Sequence, residues 1–438
     1  MNDALFSYPR GCVSFYTFVR LSENFMEYQS YTLKNGIRLI HKPSGNAVAH
    51  FGLMVNAATR DENEEENGLA HFIEHMIFKG TGKRKAFHIL SRMENVGGEL
   101  NAYTTKEETC VYASFLNEFY ERAFELLYDI SFHSVFPERE IEKEKDVVID
   151  EINSYRDNPS EEIYDEFENM LFNGHPMGKH ILGAIPSIRS FKRDMLYGFI
   201  RENYNTNQIV LASVGKISFD KLKLLAEKYF GAIPATYRKN KRKPLSAYQP
   251  LQKTVHRNSF LSHGCIGNIA YAIKSEQRIP MILLNNILGG PGMNSRLSLS
   301  IREKYGFTYN IYSHYMPYTD TGVFSVYLGT DKGYMERSVM LVHKELEKLR
   351  TSKMGVLQLK RAKKQIIGQL AISLESNLNE MLSIGRSFMH LNRLKSFEEV
   401  AAEIEKVSAE QILNVANEIF DPQQLTTLIF KSNNSHHD

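Results

Sequence analysis

Tryptophan is absent from this chain and cysteine is scarce: Cys12, Cys110 and Cys265 are scattered, odd in number and without a paired spacing. The missing tryptophan excludes nothing. The scarcity of cysteine excludes a disulfide framework and a cysteine-held metal, and it suits a reducing, cytoplasmic setting. No run of about 18 apolar residues occurs, so no transmembrane helix is expected, and the near-neutral charge gives no reason to expect a membrane partner. Residues 1–25 lack the apolar core of a signal peptide, because Tyr8-Pro9-Arg10-Gly11 and Arg20 interrupt them. With Met26 just ahead of the first strand-like run, they read as a loose arm or a start assigned too far upstream. An excess of one charge is missing too. Lys and Arg number 53 against 51 Asp and Glu, a net charge of +2, so nucleic acid is not an expected partner.

What is present is an ordinary globular composition, 42% hydrophobic and 24% charged over 438 residues, enough for two or three domains. Its most informative stretch runs from Gly68 to Gly82, centred on His71-Phe72-Ile73-Glu74-His75. Leu69, Phe72, Ile73 and Ile77 recur at helical spacing, and no proline interrupts them. On that helix His71 and His75 project from one face, one turn apart, with Glu74 beside them. Two imidazoles so placed can share a tetrahedral zinc ion and leave positions open for water. The neighbouring carboxylate can then take a proton from that water. The order is the reverse of the commoner His-Glu-x-x-His, and is known as the inverzincin form. Read blandly, it is a helix with two surface histidines.

Along the chain, Tyr31–Lys42 reads as two strands joined at Asn35-Gly36, and Ala49–Val55 as a third. An acidic loop, 61–66, leads into the His71 helix. A second helix over 87–96 closes at Gly97-Gly98, a strand pair spans 100–115, and a helix with Asn117 as its N-cap spans 117–128. A charge-rich helix starts at Pro137, followed by helices over 159–172 and 193–204, the strand 208–214 and the helix 218–229. Residues 235–252 are basic and proline-punctuated, a solvated connection. Beyond it the same grammar returns: strands near 265–272, a helix over 279–288, the glycine turn Gly289–Gly292, a helix over 295–304, strands at 308–318 and 322–329, long helices at 335–350 and 355–374, a helix at 408–419 and a last strand at 425–430. The expected fold is therefore α+β, two homologous α/β-sandwich halves, each a mostly antiparallel sheet packed with helices. The divisions are a catalytic half at 26–234, a linker at 235–252, a second, zinc-free half at 253–431, and a disordered tail at 432–438. The second half has Leu283-Leu284 roughly where the first has Glu74-His75, so one metal per chain is expected.

A catalytic zinc needs a third protein ligand. On the helix after Pro137, Glu144, Val148 and Glu151 share a face, and a valine between two acids is unusual for a solvated surface. Charge-rich helices are often solvated all the same. Here the chain resembles the pitrilysin, insulinase and mitochondrial-processing-peptidase family, in its shorter subfamily of two-half chains that dimerise. The resemblance is carried by Gly68-Leu-Ala-His71-Phe-Ile-Glu74-His75-Met-Ile-Phe-Lys-Gly80-Thr, Gly97-Gly98-Glu-Leu-Asn101-Ala102-Tyr-Thr, Val147-Val-Ile-Asp-Glu151-Ile and Arg302-Glu-Lys-Tyr-Gly306-Phe-Thr-Tyr309. It covers residues 26–430 in the family's order, with one departure: Pro291 stands in what is more usually a plain glycine run.

The resemblance implies a zinc endopeptidase for extended, unstructured peptides. His71, His75 and Glu151 would hold one Zn2+ per chain, Glu74 would be the general base, and Glu144 would orient a ligand. Asn101 and Ala102 would line a strand edge that holds the substrate backbone. Arg302 and Tyr309 would grip the substrate carbonyl and its oxyanion from the other chain of a homodimer, or of a heterodimer with a diverged paralogue. Two rivals stand beside it: a non-catalytic assembly subunit of a larger complex, and a protease dedicated to one precursor.

Overall fold

The computed structural model describes Phe18–Val19 and residues 28–433. The expectation for residues 1–25 therefore lies outside the described residues, apart from β1 (Phe18–Val19). That strand pairs in parallel with β12 (Lys395–Ser396).

Six strands form the first sheet: β2 (Gln29–Thr32), β3 (Arg38–Pro43), β4 (Val48–Val55), β5 (Glu99–Thr104), β6 (Thr109–Leu116) and β7 (Ile209–Gly215). Their order is β2-β3-β7-β4-β6-β5, antiparallel except between β3 and β7. The loop joining β2 to β3 places Gly36 at φ +95°, where a glycine is needed. Strand alternation splits the sheet's side chains between two faces. Phe51, Leu53 and Val55 of β4 join one buried cluster, with Phe51 and Phe124 stacked 3.8 Å apart, whereas Met54 joins another. The first face is covered from within the same half, by α1 (Leu69–Met76), α2 (Ala86–Glu94), α3 (Tyr120–Phe132), α4 (Glu138–Arg156), α6 (Ile185–Ser190), α7 (Arg193–Asn203) and α8 (Phe219–Phe230).

The second sheet contains β8 (Gln252–Arg257), β9 (Ser262–Ala270), β10 (Thr308–Pro317), β11 (Gly322–Thr330) and β13 (Thr426–Ser432), in the order β10-β11-β9-β13-β8. Only β13 and β8 run parallel. Its own helices, α9 (Arg278–Gly289), α10 (Met335–Thr351), α11 (Val356–Ser373), α13 (Phe397–Lys406) and α14 (Ala409–Ile419), bury one face around Phe324, Val326 and Leu328. The α+β class of two mostly antiparallel, helix-packed sheets is as expected.

The remaining two helices cross between the halves. α5 (Pro159–Leu171) sets Ile163, Phe167 and Leu171 against Cys265, Tyr327, Leu428 and Phe430 of the second sheet. In return α12 (Asn377–Leu391) sets Met381, Ile384 and Phe388 against Ile40, Met54, Val210 and Ala212 of the first. Burying each such side chain is worth roughly 1.5–3 kcal/mol. Gly385 and Gly52 allow this close approach: a Cβ on Gly385 would stand 2.5 Å from Met54 Sδ, and one on Gly52 2.9 Å from Met381 Sδ. Neither α12 nor α13 is among the sequence expectations, which leave 375–407 unassigned.

Four local expectations are corrected. Asn117 does not cap α3: it opens a 3-10 turn, donates to the carbonyls of Asn46 and Ala47, and accepts from Lys216 N, bridging two loops. The helix expected over 295–304 is π-helical across Ser298–Glu303. The connection at 235–252 is not simply solvated, since Arg238 and Arg242 reach Asp61 at 2.8 and 2.7 Å and Tyr248 donates to Gln424 O. Both of these arginines have an acidic partner remote in sequence. Ser432, expected in the tail, instead ends β13 and donates to Ser259 O, and Asn433 N donates to Arg257 O. Residues 434–438 lie outside the described residues.

Candidate metal centre

α1 begins at Gly68, whose φ of +94° is left-handed. A Cβ there would stand 2.7 Å from Gly183 Cα, and Gly183, at φ +83°, faces Asn67 O just as closely. Two glycines thus let two backbones pass. The buried Glu62 carboxylate accepts from Gly68 N at 3.0 Å and Ala70 N at 2.9 Å, satisfying amides that a helix start leaves orphaned. Phe72, Ile73 and Met76 are fully buried in the core. They fix the helix so that His71, Glu74 and His75 lie on the face that meets α4.

α4 is seated by Ile141, Val148 and Ile152. This explains the valine between two acids: the face carrying Glu144, Val148 and Glu151 is packed against α1, not solvated. His75 Nδ1 lies 2.8 Å from Glu144 Oε1, and Glu144 Oε2 accepts from Lys79 Nζ at 2.6 Å. His75 Nε2 lies 3.5 Å from Glu151 Oε2, and His71 Nε2 lies 3.9 Å from Glu151 Oε1. One donor atom from each of His71, His75 and Glu151 falls within 4.8 Å of the other two.

Zinc fits this set. Ligand bonds near 2.1 Å in a tetrahedron put donor atoms about 3.4 Å apart, and two nitrogens with one carboxylate oxygen are the usual donors of a catalytic zinc with an open fourth position. The electrostatics point the same way, for the carboxylates of Glu74, Glu144 and Glu151 converge on two imidazoles in a buried place. Burial alone would depress His75, but Glu144, Glu151 and Glu74 together hold it above the ordinary imidazole range. Burial, and then the charge of His75, hold His71 well below that range. Burial raises Glu151, against the attraction of His75. Burial would raise Glu144 too, but the hydrogen bonds from His75 and Lys79 outweigh it and keep the carboxyl below its usual range. Burial pushes Glu74 up to about 7, against the opposing effects of His75 and of Thr104, whose hydroxyl donates to Glu74 Oε2 at 2.8 Å.

Thr104 lies at the end of β5, the outermost strand of its sheet. Asn101 and Ala102 are half-buried on that strand, paired on one side with Tyr112 and Val111 of β6. The chain thus gathers His71, Glu74, His75, Glu144 and Glu151 at the end of a sheet edge. It does not bring Arg302 and Tyr309 to them. Arg302 pairs with its neighbour Glu303 at 3.5 Å, and Tyr309 is 80% exposed on β10. Sequence reasoning missed Glu62, Lys79 and Thr104. Lys79 stands one helical turn beyond His75, and Thr104 closes the Asn101-Ala-Tyr-Thr motif, so both carried a local signal; Glu62 carried only its place upstream of a helix.

Comparison with known proteins supplies the lineage. The family model described as "Insulinase (Peptidase family M16)" matches residues 38–185, and "Peptidase M16 inactive domain" matches residues 190–366. An uncharacterized zinc protease of Bacillus subtilis is 33% identical over 92% of this chain and 98% of its own length. The mitochondrial-processing peptidase subunit beta of Bos taurus is 32% identical over 91% of this chain and 83% of its own. Among solved structures, a protease from Helicobacter pylori superposes with a TM-score of 0.84 at 22% identity, covering 92% of this chain and 99% of that one. A peptidase M16 inactive domain from Pseudomonas fluorescens superposes with a TM-score of 0.87 at 19% identity, over 94% and 100%. These two carry the fold. The tandem matches and the near full-length relatives identify the chain as a member of the M16 insulinase family, the pitrilysin lineage of zinc metallopeptidases.

Proposed function

We propose that the chain is a zinc endopeptidase that hydrolyses extended, unstructured peptides in a chamber between two copies of itself. The convergence of His71, His75 and Glu151 carries the reading, with Glu74 beside them and tied through Thr104 to an open sheet edge. His71, His75 and Glu151 hold the ion, and Glu144 orients His75 from behind, as acids commonly do for metal-bound imidazoles. When bound, zinc polarises the peptide carbonyl and lowers the pKa of its water toward ~7. Glu74 takes the proton of the attacking water and passes it to the leaving amine. Its place between the histidines keeps it beside the water, and Thr104 fixes its carboxylate. The substrate adds as a strand along β5, past Asn101 and Ala102, so that main-chain hydrogen bonds favour extended peptides.

Arg302 and Tyr309 donate to the oxyanion of the other chain's substrate. Tyr309's exposure on β10 supports this. A non-catalytic assembly subunit would have no use for the intact set of five residues. Glu74→Gln is the test: it retains about one zinc per chain and loses turnover by at least 100-fold, the scale of a lost general base. Normal cleavage by that variant sinks the mechanism.

A further inference from the structure

Hairpin turns are ordinarily solvated. The turn between β5 and β6 is not: Lys106, Glu107 and Glu108 are three consecutive charged residues, respectively 3%, 5% and 3% exposed. Thr105 shapes it, its hydroxyl accepting from the backbone N–H groups of Glu107 and Glu108. Each charge then leaves in a different direction. Lys106 Nζ donates to Lys179 O and pairs with Glu168 of α5 at 3.4 Å. Glu107 receives Arg60 at 2.6 Å and, from the second half, Thr319 N at 2.9 Å together with the Thr319 hydroxyl. Arg60 also clasps Asp320 beside Thr319, at 2.6 Å. Glu108 receives Arg386 of α12 at 2.6 Å, and both bond the hydroxyl of Tyr103 on β5 itself. Two separate pieces of the second half, the β10–β11 turn and α12, therefore grip the end of the strand that carries Thr104.

Buried charges cost free energy unless well paired, and an apolar turn would serve cohesion as well. A turn that instead trades three charges for directed bonds specifies position. We propose that the second half of each chain sets the register of its own substrate-binding edge through this turn, with Glu107 and Thr319 as positioning residues. The proposal rests on the reading of β5 as the substrate edge. A displacement of the turn shifts the β5 edge along which the substrate lies, with no change at His71, His75 or Glu151. It thus couples the zinc-free half to peptide binding inside one chain, independently of any role across the dimer.

Thr319→Val and Glu107→Gln in the full-length chain test this, read by hydrogen exchange of the β6-bonded amides of β5, by zinc content, and by kcat and KM on an extended quenched peptide. Thr319→Val deletes one hydroxyl in the second half and keeps the side chain's volume, so it folds even if Glu107→Gln does not. The expected result is exchange of those amides faster by about fivefold, KM raised by about fivefold and kcat within about twofold, the scale of one lost hydrogen bond. Zinc content and β9 exchange stay as in the unaltered chain, which a merely structural loss would not achieve. Unchanged β5 exchange, or unchanged KM, in Thr319→Val overturns the proposal. If the unaltered chain fails to cleave the peptide, it is the peptidase reading that falls, while the exchange result still reports on the turn.

Discussion

At the scale of single residues, the centre is a matter of which atom faces which. Glu144 lies 2.8 Å from His75 Nδ1, which turns His75 Nε2 toward Glu151, while Lys79 bonds the carboxylate's other oxygen. Removing the orienting acid, as in Glu144→Gln, should weaken zinc binding by roughly 10–100-fold while leaving a site. Glu151→Ala should abolish stoichiometric zinc, because two imidazoles remain. Metal titration with a chelating indicator separates the two, and full zinc occupancy in Glu151→Ala would move the third ligand elsewhere. His71, Glu74 and His75 were legible in the sequence because helical spacing is local information. Glu62 was not, since its bonds to Gly68 N and Ala70 N depend on how a loop folds back. Thr104 stands within a motif legible in the sequence, but its bond to Glu74 spans two elements.

At the scale of elements, the exchange of α5 and α12 decides what holds the halves together. Glu108 is one polar anchor of α12 against the first sheet, beside the Lys42–Glu380 pair. Burial would raise its carboxyl, but Arg386, with His390, outweighs this and holds it down to about 2. The unfolded value lies near ~4.3. A depressed folded pKa gives stability that is fully present above the unfolded value and is lost as pH falls toward the folded one, here on the order of 3 kcal/mol. Thermal melts should therefore show Glu108→Gln less stable than the unaltered chain at pH 7, with the gap closing between about pH 5 and pH 2. A gap that persists undiminished at pH 2 contradicts this anchor. Strand and helix periodicity revealed nearly all elements up to residue 374. The crossing was hidden because an amphipathic helix announces an apolar face without naming the sheet that covers it. For the same reason Asn117 looked like a cap: the residue suits that role, but two loops claim its side chain.

At the scale of the whole molecule, one chain holds both the zinc set and the Arg302/Tyr309 pair, with no hydrogen bond or ion pair joining the two among the described residues. The duplication was readable from the repeated order of elements; the missing contact was not, because it depends on how two sheets are oriented. Mixing chains settles whether the pair acts across a dimer. Glu74→Gln chains and Arg302→Ala/Tyr309→Phe chains, each nearly inactive alone, should on random exchange recover about a quarter of full activity, since half the dimers then hold one complete site. A mixture no more active than its components would place the pair in the same chain as its zinc, or outside catalysis.

The most direct test of the central claim is the zinc content of the purified chain, measured together with cleavage of a quenched unstructured peptide before and after a chelator. The account predicts about one zinc per chain and cleavage that the chelator abolishes and added zinc restores. A chain that binds no zinc, or cleaves equally well without it, would contradict the account.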